Sequence, residues 1–254
     1  MFFYIVFLAL VQGLTEFLPV SSSGHLVLLN RFFGIQNDFL LLSVILHVAT
    51  LVSVVIVLRK EIWYLIHHPF SALGKRIIFA TIPTVLIVLV FKKFIDSAFG
   101  GAYLPVCFMV TAIAIIISEF LSKKSNNNQK DISVKDSILI GIAQGIAVLP
   151  GISRSGATIC TGLALGNDRE KVAHFSFLMS VPIIIASLML EIYEYVSVGQ
   201  ALTIPLAYIF VGFFVALITG VFAIKFMLNI VKKHSMYGFA FYLIALSIFT
   251  LFLF

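Results

Sequence analysis

Hydrophobic runs of membrane-spanning length recur along the chain, separated by short polar interruptions. Six of them, roughly 39–58, 77–94, 103–121, 172–192, 204–224 and 237–254, are long enough to cross a bilayer as helices. Pro83 and Pro182 fall inside two of these runs and predict local kinks rather than breaks. Two further apolar runs behave differently. Residues 1–18 and 138–149 each lead into a proline, then a Ser/Gly cluster, then a second short apolar stretch (26–29 and 156–165). That order predicts a re-entrant hairpin, which enters and leaves the membrane on one side. Irregular backbone at such depth is tolerated only where protein or a wet cavity surrounds it.

The long polar segment 122–137, with Asn126, Asn127 and Asn128, reads as a linker between two halves, and the halves repeat each other. Gln12-Gly13-Leu14 lies 132 residues before Gln144-Gly145-Ile146, and Ser23-Gly24 lies 132 before Ser155-Gly156. Ser21 and Ser153 keep that offset, while Leu18-Pro19 and Leu149-Pro150 differ from it by one. Each half then holds one hairpin (1–33 and 138–166) and three spans. Three is odd, so the second half is inverted relative to the first. The fold class expected is an all-α polytopic membrane protein: six transmembrane helices plus two re-entrant helical hairpins in an inverted-topology repeat. The first repeat covers 1–121 and the second 138–254, and inverted repeats of this kind bring their polar sites together near the midplane. The two hairpins are therefore expected to meet tip to tip.

Basic residues test the topology independently. With 59–76 and 122–137 in the cytoplasm, thirteen Lys and Arg fall inside: Arg59, Lys60, Lys75, Arg76, Lys123, Lys124, Lys130, Lys135, Arg169, Lys171, Lys225, Lys232 and Lys233. Only Arg31, Lys92 and Lys93 fall outside, a strong positive-inside bias. Both termini and the mouth of the first hairpin are expected to face outward.

Composition agrees and narrows the function classes. The 254 residues are 61% hydrophobic and 11% charged, against about 25% charged in a soluble domain. This excludes disorder, a disulfide scaffold and an ordinary soluble enzyme. The net charge of +6 comes from basic residues spread between apolar runs, which marks topology rather than a nucleic-acid footprint. Cys107 and Cys160 sit in apolar surroundings and read as small core residues. The first 30 residues do not read as a signal peptide, because they lack a basic start and a small-residue cleavage site, and Glu16 and Pro19 interrupt the run.

Against this background the polar residues within the hairpins stand out. Gln12 and Glu16 are four apart and share one helix face. A carboxylate at that depth costs roughly 2.5–3.5 kcal/mol if unpaired. Ser21, Ser22 and Ser23 form a natural N-cap for the helix that follows, and Ser22 and His25 are expected to point together toward an anion-attracting N-terminus. In the second hairpin, Ser153-Arg154-Ser155-Gly156-Ala157-Thr158 offers an anion a guanidinium fork, hydroxyls and free backbone N–H groups. Arg154 has no charged residue within a dozen positions on either side, so it needs an anion. The plainer alternative is a purely structural ion pair between Arg154 and Glu16. His47, mid-span with Ser43 and Thr50 near its face, suits a helix–helix hydrogen bond as well as a cavity role. Glu119, Glu191 and Glu194, at span ends, read as solvated. His67, His68, His174 and His234 read as headgroup contacts, and no spacing suggests a structural zinc site or a phosphate-binding glycine loop.

Gln12-x-x-x-Glu16, the Leu-Pro-Val-Ser-Ser-Ser-Gly-His stretch at 18–25 and the Pro-Gly-Ile-Ser-Arg-Ser-Gly-Ala-Thr stretch at 150–158 resemble the undecaprenyl-diphosphate phosphatase family, the bacterial membrane enzymes associated with bacitracin resistance. The resemblance covers nearly the whole chain in length, span order and motif position. It implies removal of the terminal phosphate from the C55 lipid carrier diphosphate, recycling the carrier for cell-wall synthesis. It also implies a divalent metal, Mg or Ca, and a plasma-membrane location with the active site opening to the outer face. The family's active-site residues fall on Glu16, Ser22, His25, Ser153, Arg154 and Thr158, with Gln12 beside them. In that family the first position of the acidic motif is Glu or Gln, so Gln12 is a permitted variant that leaves one carboxylate fewer for a metal or a proton. Glu16, Ser22, His25 and Arg154 are the expected catalytic residues, with Ser22 or His25 as nucleophile and Glu16 as the candidate metal ligand. Gln12, Ser21, Ser23, Ser153, Ser155 and Thr158 are expected to bind the substrate. The partners implied are the polyprenyl diphosphate and membrane lipids, with a homodimer left open. The rival class is an inverted-repeat transporter or flippase for an anionic or phosphate-bearing lipid.

Overall fold

The structure is a computed structural model that describes residues 1–33, 39–124, 130–198 and 204–253. Asn126, Asn127 and Asn128 of the expected linker lie outside the described residues. Among those described there are eleven helices, and the only extended pairing is an isolated bridge between Lys130 and Asn167.

The first hairpin is α1 (Phe2–Thr15) and α2 (Ser22–Phe33); the second is α7 (Val134–Ile146) and α8 (Arg154–Ala164). Between them run α3 (Phe39–Val57), α4 (Arg59–His67), α5 (Ala72–Ala98) and α6 (Leu104–Lys124). The second hairpin is followed by α9 (Arg169–Val198), α10 (Leu206–Lys233) and α11 (Tyr237–Leu251). Four helices, α5, α6, α9 and α10, are long and apolar enough to cross a membrane; α3 makes a fifth when joined to α4, across an 86° bend. The chain is thus a multi-pass helical membrane protein. The expected span at 237–254 is the fifteen-residue α11, about 22 Å at 1.5 Å per residue and so shorter than a full bilayer core. Residues 59–76, placed between spans on the cytoplasmic side, contain α4. The apolar run ends at Leu58, but the helical hydrogen bonding resumes one residue later in a new direction.

The helix packing is reciprocal between the two halves. The first helix of each hairpin lies against the second long helix of the other half, α1 on α10 and α7 on α5. The third helices of the halves, α6 and α11, pack together, as do α3 and α9. Glycine permits the closest approaches. A Cβ on Gly13 would stand 2.0 Å from the Thr219 hydroxyl, and one on Gly141 would stand 2.0 Å from the Ala80 carbonyl oxygen. The N-terminus of α7 is closed by a capping box in which Ser133 and Asp136 satisfy each other's backbone N–H groups.

Glu119, expected to be solvated, is instead 1% exposed. Arg169 grips both its carboxylate oxygens at 2.8 and 3.2 Å and also donates to the carbonyls of Val231 and His234, while the Met236 N–H donates to Glu119 at 3.0 Å. Glu119 reads as a span-end acid because its partner lies 50 residues away. One ion pair thus joins α6, α9 and the α10–α11 turn. Arg169→Ala, which strands a buried carboxylate, is expected to cost about 3–5 kcal/mol. Thermal unfolding in detergent reads this as a markedly lower midpoint than that of Lys171→Ala, whose pair with Asp131 is exposed.

Candidate active site

The chain reverses at Pro19 and Ser21 in the first hairpin and at Pro150 and Gly151 in the second, and the two reversals interlock. Ser21 holds φ at 68°, a left-handed conformation unusual outside glycine, and Gly151 holds 94°. The Ser21 hydroxyl accepts the N–H of Gly151 at 3.1 Å across the hairpins and that of Gly24 at 3.3 Å within its own. Ser153, at the equivalent position, accepts the N–H of Gly156 at 3.1 Å. Ser153 and Ser155 both donate to the Leu18 carbonyl, at 3.4 and 2.9 Å. The tips therefore meet as the repeat leads one to expect.

This interlock makes Ser22 and Arg154 the first residues of α2 and α8, so two helix N-termini converge. Between them stands Glu16. Its Oε1 pairs with Arg154 Nη2; its Oε2 accepts from the Ser22 hydroxyl at 2.5 Å and from Gln12 Nε2 at 3.0 Å. Glu16 is 6% exposed, and Gln12 is fully buried behind it. The group opens onto a cavity of about 190 Å³ lined by Glu16, Ser21, Ser22, Ser23, Ser153 and Arg154. The Glu16–Arg154 pair thus lines a cavity rather than being sealed in the core. A hydroxyl held by a carboxylate, beside a guanidinium and two helix N-termini, suits attack on an anionic phosphorus centre.

The other wall of the cavity carries residues for which the sequence had no decisive signal. His47 and Ser43 from α3 face Ser187 and Glu191 from α9, with His47 Nδ1 3.8 Å from Glu191. Glu191, expected to be solvated, is a cavity residue, and His47 makes both the helix–helix contact and the cavity lining. The side chain of Glu194 lies outside the described residues.

Four expected site residues do not line the cavity: Gln12, fully buried behind Glu16, and His25, Ser155 and Thr158. His25 does not line the cavity, although Ser22 does. Its Nδ1 lies 2.7 Å from the Ser21 carbonyl, which can only accept, and its Nε2 lies 2.6 Å from the Tyr242 hydroxyl of α11. In the neutral ring Nδ1 therefore carries the proton and Nε2 accepts from Tyr242. Phe108 meets the same ring edge-on at 5.9 Å. Tyr242 was invisible in the sequence because it sits in an apolar helix 217 residues away. Thr158 is 1% exposed and bonds to the Arg154 carbonyl and, at 2.6 Å, to the Ser176 hydroxyl. Ser155 is buried with its hydroxyl committed to Leu18. Both support the Arg154 helix rather than lining the cavity.

The residues present do not form a protein-held site for the divalent metal that the resemblance implies. Among the described residues no three His, Cys, Asp or Glu side chains gather in a way that could hold a metal ion. Both oxygens of Glu16 are engaged by Arg154, Ser22 and Gln12.

Comparison with known proteins places the chain in a family. The family described as "Bacitracin resistance protein BacA" matches residues 5–249. A protein of Carboxydothermus hydrogenoformans named undecaprenyl-diphosphatase is 42% identical over 248 residues, 97% of this chain and 95% of its own. Another of that name from Parabacteroides distasonis is 40% identical over 251 residues, 94% of this chain and 93% of its own. "Undecaprenyl-diphosphatase 4" of Bacillus thuringiensis is 40% identical over 247 residues, 96% of this chain and 94% of its own. With the family matched over residues 5–249 and relatives about 40% identical along nearly its whole length, the chain belongs to the BacA bacitracin-resistance family.

Proposed function

We propose that this protein is an integral membrane undecaprenyl-diphosphate phosphatase that releases inorganic phosphate and undecaprenyl phosphate, recycling the lipid carrier. The observation that carries the mechanism is the 2.5 Å contact between the Ser22 hydroxyl and Glu16, beside Arg154 and at the meeting of two helix N-termini. The architecture that goes with it is six spans and two hairpins in an inverted repeat, supported by the reciprocal packing of α1 on α10 and α7 on α5. The positive-inside count supports a plasma-membrane protein whose catalytic mouth faces outward.

The diphosphate enters the cavity with its polyprenyl chain left in lipid. Its terminal phosphoryl competes with Glu16 for the Arg154 guanidinium, whose fork matches phosphate oxygens. Glu16, released from that pairing, takes the Ser22 proton as Oγ attacks the terminal phosphorus. The bond from that phosphorus to the bridging oxygen breaks, and its electron pair leaves on the carrier monophosphate. A phosphate with a second pKa of about 6 leaves readily without an acid. Arg154 and the N–H groups of α2 and α8 stabilise the charge on the equatorial oxygens. Glu16 gives the Ser22 proton to solvent in the cavity, then takes a proton from the water that attacks phosphoserine and returns it to the Ser22 oxygen as the P–O bond breaks and inorganic phosphate is released. Ser21, Ser23 and Ser153 shape the anion site. Any dependence on Mg or Ca enters with the substrate, whose oxygens suit hard cations, and no step above is routed through a metal.

His25 acts through backbone in this scheme: by holding the Ser21 carbonyl it fixes the first turn of α2, and Tyr242 fixes His25. Tyr242→Phe is expected to slow turnover by roughly two- to tenfold, the worth of one hydrogen bond of about 0.5–1.5 kcal/mol. Steady-state kinetics on purified protein checks this, with the loss in kcat rather than KM. Phosphate release by detergent-solubilised protein tests the function itself, because a transporter or flippase needs a membrane to act and a phosphatase does not.

A further inference from the structure

We infer that α4 and the turn after it form a docking surface for anionic phospholipid headgroups, on the face that the arginine and lysine distribution makes cytoplasmic. The 86° bend at Leu58 turns α4 nearly at right angles to α3, so with α3 as the span α4 runs along the membrane plane. None of its residues is buried. Ile62 and Leu65 rest partly against the core. The opposite side is left bare and carries Trp63, Ile66 and, just beyond, Phe70, at 67%, 66% and 75% exposure.

The same side carries Arg59, Lys60, His67 and His68, all exposed. Trp63 lies against His67 with ring centroids 4.4 Å apart, and Tyr64 against His68 at 5.0 Å. The one acid of α4, Glu61, turns toward His174 at 3.8 Å. Apolar rings and cations alternating on one bare face suit neither water nor hydrocarbon. They suit the headgroup layer, where the rings sink to the acyl boundary and the cations meet phosphates. The excess of positive charge selects anionic over zwitterionic lipid.

Trp63 is the only tryptophan in the chain, so its fluorescence reports this surface alone. The full chain is reconstituted in phosphatidylcholine bilayers with and without phosphatidylglycerol. Brominated lipids should quench Trp63 strongly and aqueous iodide weakly. Native mass spectrometry should show phosphatidylglycerol retained on the protein, with affinity lowered roughly tenfold in the Arg59→Gln/Lys60→Gln variant, given two cations fewer. Phosphatase turnover should be unchanged, because neither residue touches the cavity. Lys92→Gln/Lys93→Gln, altered near the other end of α5, should retain the lipid as the wild type does. Quenching of Trp63 by iodide rather than by bromolipid would overturn the inference. So would equal retention by the wild type and the Arg59/Lys60 variant, or equal loss in the Lys92/Lys93 variant.

Discussion

Arg154→Ala is expected to lower turnover of a polyprenyl diphosphate by about 10³–10⁵-fold, the range seen when an arginine that stabilises phosphoryl transfer is removed. Among the described residues Arg154 is the one lysine or arginine lining the cavity, and it starts the helix whose N-terminus faces the same space. Removing it takes away the charge that binds the terminal phosphoryl and leaves Glu16 as a bare carboxylate that repels it. Arg154→Lys keeps the charge but loses the planar fork, so it is expected to recover only a small part of the activity. Phosphate release per mole of purified protein is the measurement, with intact size-exclusion behaviour showing that the variant inserts and folds. The double variant Glu16→Gln/Arg154→Ala separates folding from chemistry. It removes the unpaired buried charge and should regain stability relative to Arg154→Ala while remaining inactive.

Ser22→Ala is expected to lose at least about 10³-fold in kcat, as removal of a covalent nucleophile does. The alanine also leaves Glu16 Oε2 with only Gln12 as a donor among the contacts described above. Substrate should still bind, because Arg154 and both helix N-termini remain, so KM should move far less than kcat. Ser23→Ala supplies the contrast. Ser23 lines the cavity but contacts Ser21 rather than Glu16, so its loss should be roughly tenfold or less, in line with one hydrogen bond.

Much of the site is legible in the sequence because the membrane makes polar residues expensive. Glu16 and Arg154 stand out for lacking charged neighbours, and the serine and glycine clusters mark where α1 and α7 stop and α2 and α8 begin. The two clusters do come together, and Ser21 and Ser153 cap α2 and α8 in the same way. Side-chain direction is less legible. Three-residue spacing puts Ser22 and His25 on one side of α2, yet Ser22 turns to Glu16 and His25 to Tyr242. The difference comes from α11, which no local pattern ties to α2. Glu119 and Glu191 mislead for the same reason. Hydropathy places both near span ends, while partners from distant helices draw them inward. The bend into α4 is hidden because Arg59 and Lys60 end the apolar run without ending the helical hydrogen bonding.

The measurement that bears most directly on the account is the identity of the covalent intermediate. Wild-type protein is mixed with substrate labelled in its terminal phosphate, quenched within a turnover and digested, and the modified peptide is sequenced by mass spectrometry. The expected adduct is an acid-stable, base-labile phosphoserine at Ser22, absent from Ser22→Ala and from Arg154→Ala. An acid-labile phosphate on His25, or full turnover by Ser22→Ala, would contradict it.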